Sequence, residues 1–178
     1  MTDVMIDIES LSTSPNATIL TIGALKFNRK ERLKPLEQYD KFYIRVNIKS
    51  CEDIGCHIDP KTIDWWNEQK STVRYEAIEN PDRVSIKDAL YSLSNWIGNS
   101  KIIWANSPSF DCVILEYAYK QCRMEVPWKW WLTRDVRTIL DLAGIRKNDL
   151  PNEGEHHALH DCYQQLIGVK RALKKLGI

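Results

Sequence analysis

The chain has 178 residues, of which 43% are hydrophobic and 28% charged, and its formal net charge is +1. That size and composition suit one domain, residues 1–178, with a core of its own, and near-neutrality excludes a polyelectrolyte coat, so affinity for nucleic acid would have to be local. No apolar run approaches the roughly 20 residues that span a bilayer, and the N-terminus lacks the basic and apolar segments of a signal peptide, so the expectation is a cytoplasmic protein without membrane contact.

Residues 3 to 9 alternate, with Val4, Ile6 and Ile8 on one face and Met5, Asp7 and Glu9 on the other, which predicts a strand ending in carboxylates. A polar loop leads to a second strand, Thr18 to Phe27, rich in β-branched residues. A third runs from Tyr39 to Ile48, where Phe42, Ile44, Val46 and Ile48 alternate with polar neighbours. Three strands with short connections predict an antiparallel meander.

A loop from Cys51 to His57 precedes a helix with Asp59 as N-cap, Pro60 in its first turn, and Ile63 and Trp66 at helical spacing. A second helix begins at Ser85, where Ser85 and Asp88 resemble a capping box; Ile86, Ala89, Leu90, Leu93 and Ile97 form its apolar stripe, and Gly98 is its stop. Lys101 to Ala105 reads as a buried strand, then Asn106-Ser-Pro-Ser leads into a helix that carries Asp111 in its first turn. A helix from about Arg134 to Ala143 and a loop from Arg146 to Glu155 come before a long final helix with Leu159, Cys162, Leu166, Val169, Leu173 and Leu176 on its expected buried face. The five cysteines are odd in number and read as reduced thiols.

Asp7 and Glu9, two apart on a strand, emerge from one face within about 7 Å of each other and call for a cation. Asp111 and Asp161 lie near helix starts. Acids gathered at a strand end and two helix starts suit hard Mg²⁺ or Mn²⁺. Two other metal patterns stand beside this one. His156 and His160, like His157 and Asp161, have the i, i+4 spacing of a helical zinc site, and Cys51, Cys56 and His57 form an incomplete zinc pattern.

Asp7-Ile-Glu9, Asn106-Ser-Pro-Ser-Phe-Asp111 and His156-His-Ala-Leu-His-Asp161 together resemble the DEDDh exonucleases, the superfamily of the polymerase III proofreading subunit, oligoribonuclease and RNase T. The stretches Asn16 to Gly23 and Thr62 to Gln69 are similar to its short branch of phage DexA-like and small bacterial exoribonucleases. The resemblance implies a ribonuclease-H-like α/β fold: a mixed five-stranded sheet, an antiparallel meander first and parallel strands after it, flanked by helices. It also implies a 3′-5′ exonuclease acting on single-stranded nucleic acid with two Mg²⁺ or Mn²⁺ ions. In that scheme Asp7 bridges both ions, Glu9 and Asp161 complete the first, and Asp111 supports the second. His156 holds the position of the general base, a role that histidine chemistry suits.

Substrate handling is expected from Ser10 and Leu11, which follow the first motif, from Asn106, and from Trp66 and Gln69. Trp65 or Trp66 would stack on a base. Relatives of this kind imply a homodimer. The competing readings are an all-helical metal phosphohydrolase built on His160-Asp161, which the three N-terminal strands oppose, and an inactive binding module.

Overall fold

The computed structural model describes residues 2–100, 102–151 and 156–178, so the expected 146–155 loop is seen only as far as Pro151. Strand β1 (Asp3–Ser10) alternates as its sequence predicts, sending Val4, Ile6 and Ile8 into one core cluster and Met5 into another. Both faces are covered, so Asp7 and Glu9 break an otherwise buried pattern. β2 (Ile19–Phe27) pairs antiparallel with β1, and β3 (Asp40–Arg45) antiparallel with β2.

The third strand ends at Arg45 rather than Ile48. Asn47 leaves the sheet to cap α1 (Ile48–Glu52), its side chain accepting the Ser50 N–H, so a side-chain bond outweighs the alternating pattern. α2 (Pro60–Asn67) starts as expected, with Asp59 accepting from the Lys61 N–H. α3 (Ser71–Arg74) and the π-helical turn Tyr75–Glu79 were not anticipated. α4 (Ile86–Ile97) is capped by Ser85 and closed by Gly98 at φ 55°.

β4 (Ile102–Ala105) is wholly buried and parallel to β1, and α5 (Asp111–Gln121) follows it. β5 (Thr133–Asp135) is parallel to β4 and occupies the start of the helix expected from Arg134. Asp135 ends that strand and caps α6 (Val136–Leu142) through the Arg137 and Thr138 N–H groups, so the helix begins two residues late. The sheet order is β3-β2-β1-β4-β5, antiparallel on one side of β1 and parallel on the other.

α7 (Ala158–Leu176) lies across β1 and β2 and buries Cys162, Leu166, Val169 and Leu173 against Met5 and Leu25. Its first turn comes so close that a Cβ on Gly23 would stand 2.4 Å from the Ala158 carbonyl carbon and the Leu159 nitrogen. Only glycine permits that approach. Gly23 is the β2 partner of Asp7, so this contact brings the helix carrying Asp161 to the strand carrying the first acids.

Candidate metal centre and active site

β1 delivers Asp7 and Glu9, and α7 delivers Asp161 from its first turn. Oxygen atoms of these three carboxylates all lie within 4.8 Å of one another. Asp111 joins them from the start of α5. The β1–β4 ladder runs only to Met5–Trp104, and farther along β1 the Ile8 N–H donates to Asp111 Oδ1 at 3.2 Å. Ser107, with φ 99° in the turn ahead of α5, helps to bend the chain back for that bond.

Burial, together with the charges of neighbouring acids, holds the Asp7 carboxyl well above its usual range, although an amide donor from Gln165 at 2.7 Å opposes the shift. Glu9 is raised by burial, then by Asp161 and Asp111. Burial pushes Asp111 up to about 7. Among the described residues no lysine or arginine forms an ion pair with Asp7 or Glu9. An all-oxygen donor set crowded in this way fits a hard divalent ion.

His156 precedes α7 in the left-handed region, φ 62°. Its N–H donates to Asp161 Oδ2 at 3.1 Å, while its ring sits edge-on to Trp65 at 4.8 Å between centroids. Because the helix starts at Ala158, the i, i+4 relation of His156 to His160 is not a helical one, which removes the geometric basis for zinc there. His160 is exposed and packs against His157, whose ring stacks on Tyr43. His57 Nδ1 meets the hydroxyls of Ser12 and Ser14, at 2.9 and 3.2 Å, and among the described residues His57 does not gather with Cys51 and Cys56 into a group that could hold a metal. All five cysteines are free.

The acids line a cleft of about 670 Å³ together with Asn106, Phe110, Arg137, His156 and Gln165. A smaller hollow of about 350 Å³ shares Ile8, Glu9 and Phe110 with it and adds Ser10, Lys61, Trp65 and Trp66. Asn106 thus lines the cleft and Ser10 the smaller hollow.

Three expected contacts differ. Leu11 is only 4% exposed and packs with Leu20, Trp66 and Ala77, so it cannot wedge against a base without leaving that cluster. Trp66 is 1% exposed and donates its indole N–H to the Ser10 carbonyl, which makes it a support for the acid-bearing strand; Trp65, 40% exposed, offers the open ring. Gln69 lies beyond α2, lines neither hollow, and donates its amide to the Trp65 carbonyl. Gln165 and Arg137 went unnoticed in the sequence. The signal for Gln165 was its i+4 spacing from Asp161; nothing marked Arg137.

The sequence pattern of the Rv2179c-like family, described as a 3′-5′ exoribonuclease domain, matches residues 2–172. Among curated proteins none matches the chain in sequence. Solved structures similar to it include E. coli exonuclease I in complex with a dA16 oligonucleotide, at 12% identity and a TM-score of 0.64, covering 97% of this chain and 41% of that one. The nuclease domain of 3′hExo, a DEDDh family member bound to rAMP, gives 12% identity and a TM-score of 0.62, covering 97% of this chain and 92% of that domain. S. pombe Pop2p in a form with Mg²⁺ and Mn²⁺ bound gives 10% and 0.59, covering 97% and 82%. The chain thus spans about two fifths of the exonuclease I structures, and these likenesses establish the ribonuclease-H-like fold. With the family pattern running through 171 of its residues, the chain belongs to the Rv2179c-like 3′-5′ exoribonuclease domain family.

Proposed function

We propose that this chain removes nucleotides one at a time from the 3′ end of single-stranded nucleic acid, releasing 5′ mononucleotides. The convergence of the Asp7, Glu9 and Asp161 oxygens within 4.8 Å, with Asp111 beside them, carries this reading. Asp7, Glu9 and Asp161 would hold one Mg²⁺ or Mn²⁺, and Asp7 with Asp111 a second. Bound there, the ions supply charge neutralisation at the phosphate and a water acidic enough to lose its proton at neutral pH.

In the reaction a water oxygen bonds to phosphorus as the bond to the 3′ oxygen breaks. His156, lining the cleft beside Asp161, takes the water's proton, and the departing 3′ oxygen gains one. Trp65 and Phe110, at the hollow next to Glu9, hold the terminal base, a stacking contribution of about 1 to 3 kcal/mol. Ser10 and Asn106 meet the sugar and phosphate. A duplex end must unstack before its last nucleotide fits such a hollow.

The family description and the rAMP bound to 3′hExo support RNA as substrate, while the dA16 bound to exonuclease I supports testing DNA as well. The test uses 5′- and 3′-labelled single strands of both kinds with Mg²⁺, Mn²⁺ or excess EDTA. Stepwise shortening from the 3′ end that stops in EDTA is expected; cleavage of a circular strand, or full activity in EDTA, overturns the reading.

Among the described residues no helix is long and apolar enough to cross a membrane, and the free thiols support action in the reducing cytoplasm. The site draws on residues 7 to 161, which supports one exonuclease domain over 1–178. A homodimer is part of the proposal, since Trp130 and Trp131, 75% and 57% exposed beside edge strand β5, are an apolar surface that a second copy would cover. Sedimentation velocity checks it.

A further inference from the structure

Gln165 lies one helical turn beyond Asp161 on α7, so both side chains leave the helix on the same side. Its Nε2 donates to Asp7 Oδ1 at 2.7 Å, and the side chain is enclosed, at 7% exposure. Its other polar atom, Oε1, is buried with no hydrogen-bond partner, although the residue lines the cleft. Leaving a buried acceptor unpaired is costly, and such groups are rare enough to need a reason. An apolar side chain would fill the same space without that cost.

We propose that Gln165 is a positioning residue of the metal centre: its amide hydrogen fixes the Asp7 carboxylate, and its unpaired oxygen accepts from a water in the shell of the bound cation. The proposal rests on the reading of Asp7 as a metal ligand. Asp7 stands among three other acids, and repulsion favours rotating it away. The Gln165 amide opposes that rotation. It also leaves Oδ2 as the Asp7 oxygen free to meet a cation. A glutamate could not do this, because when ionised it has no hydrogen to donate and would add a fifth negative charge.

The test is Mn²⁺ titration by calorimetry on the full chain, comparing wild type with Gln165→Met and Gln165→Leu, which retain bulk but lack the amide. Hydrogen bonds that orient metal-binding carboxylates are typically worth about 10- to 100-fold in affinity, and the variants should bind Mn²⁺ weaker by that factor. Raising Mn²⁺ should restore part of kcat while KM for a single-stranded oligonucleotide stays put. A purely structural role would instead lower the melting temperature in EDTA and leave Mn²⁺ affinity alone. Either variant, folded and with wild-type Mn²⁺ affinity, overturns the proposal; if one fails to fold, the other decides. Wild-type protein that binds no Mn²⁺ would overturn the reading of Asp7 itself, an outcome distinct from equal binding by wild type and variants.

Discussion

The two ends of β1 both hold acid, buried at the start and half-buried at the far end, and they treat it in opposite ways. At the start, Asp3 is 1% exposed, and its Oδ2 meets Arg29 at 2.8 Å and the Trp104 indole N–H at 2.8 Å. The protein provides the counter-charge, so Asp3 belongs to the architecture. At the far end Asp7 and Glu9 face two more carboxylates, and the side-chain donor to Asp7, Gln165, is neutral. A carboxylate with its own cation supports a fold, whereas carboxylates crowded against one another suit a ligand cation.

The sharpest way to break this comparison is to remove one acid from each end. Asp7→Asn should cost at least about 10³-fold in activity, because under the proposed function it removes the acid that both ions would share. In EDTA it should melt no lower than wild type, since it relieves repulsion. Asp3→Ala should do the reverse, keeping activity but losing about 1 to 3 kcal/mol of stability as the Trp104 N–H is left unpaired. Kinetics and thermal melting on both variants check this. A folded but inactive Asp3→Ala would refute the division.

A somewhat smaller effect is expected at the histidines. His156→Ala should lower the single-turnover rate by about 10²- to 10⁴-fold, the usual worth of a positioned base, with metal content unchanged because the carboxylates remain. His157→Ala and His160→Ala should lose far less, since their rings pack on each other and on Tyr43 rather than line the cleft. Equal losses at His156 and His160, with metal lost in both, would bring back the zinc reading.

The smallest effect sharpens the contrast through pH. Asp7, Glu9 and Asp111 have raised carboxyl pKa values in the fold, Asp111 at about 7. Between the ordinary carboxyl value of about 4 and about 7, the folded state therefore holds more protons than the unfolded state, and stability falls as pH rises. EDTA-treated protein should melt progressively lower across that window, by about 2 to 4 °C per kcal/mol in a chain of this size. Mn²⁺ should flatten the profile. A profile already flat in EDTA would show that the acids carry no electrostatic strain.

The sequence by itself determined four of the five strands and the main helices, and it singled out the acids that the fold brings together. Those features rest on local signals: the two-residue period of β1, the Ser85 and Asp59 caps, and three motifs whose residues lie close together in the chain. Its errors fall where a side chain redirects the backbone, as at Asn47 and at Asp135, because one cap outweighs a short periodic pattern. Only the tertiary structure decided which of two tryptophans presents an open ring at the smaller hollow. Trp65 and Trp66 are adjacent in sequence, but one indole N–H is bonded to the Ser10 carbonyl and the other ring remains open. The same holds for Leu11, which is drawn into a core cluster, and for Gln165, whose partner Asp7 is 158 positions away. Burial and pairing are set by packing between distant segments, above all by the close approach of α7 to β2 that Gly23 allows, and no period or spacing within one segment encodes them.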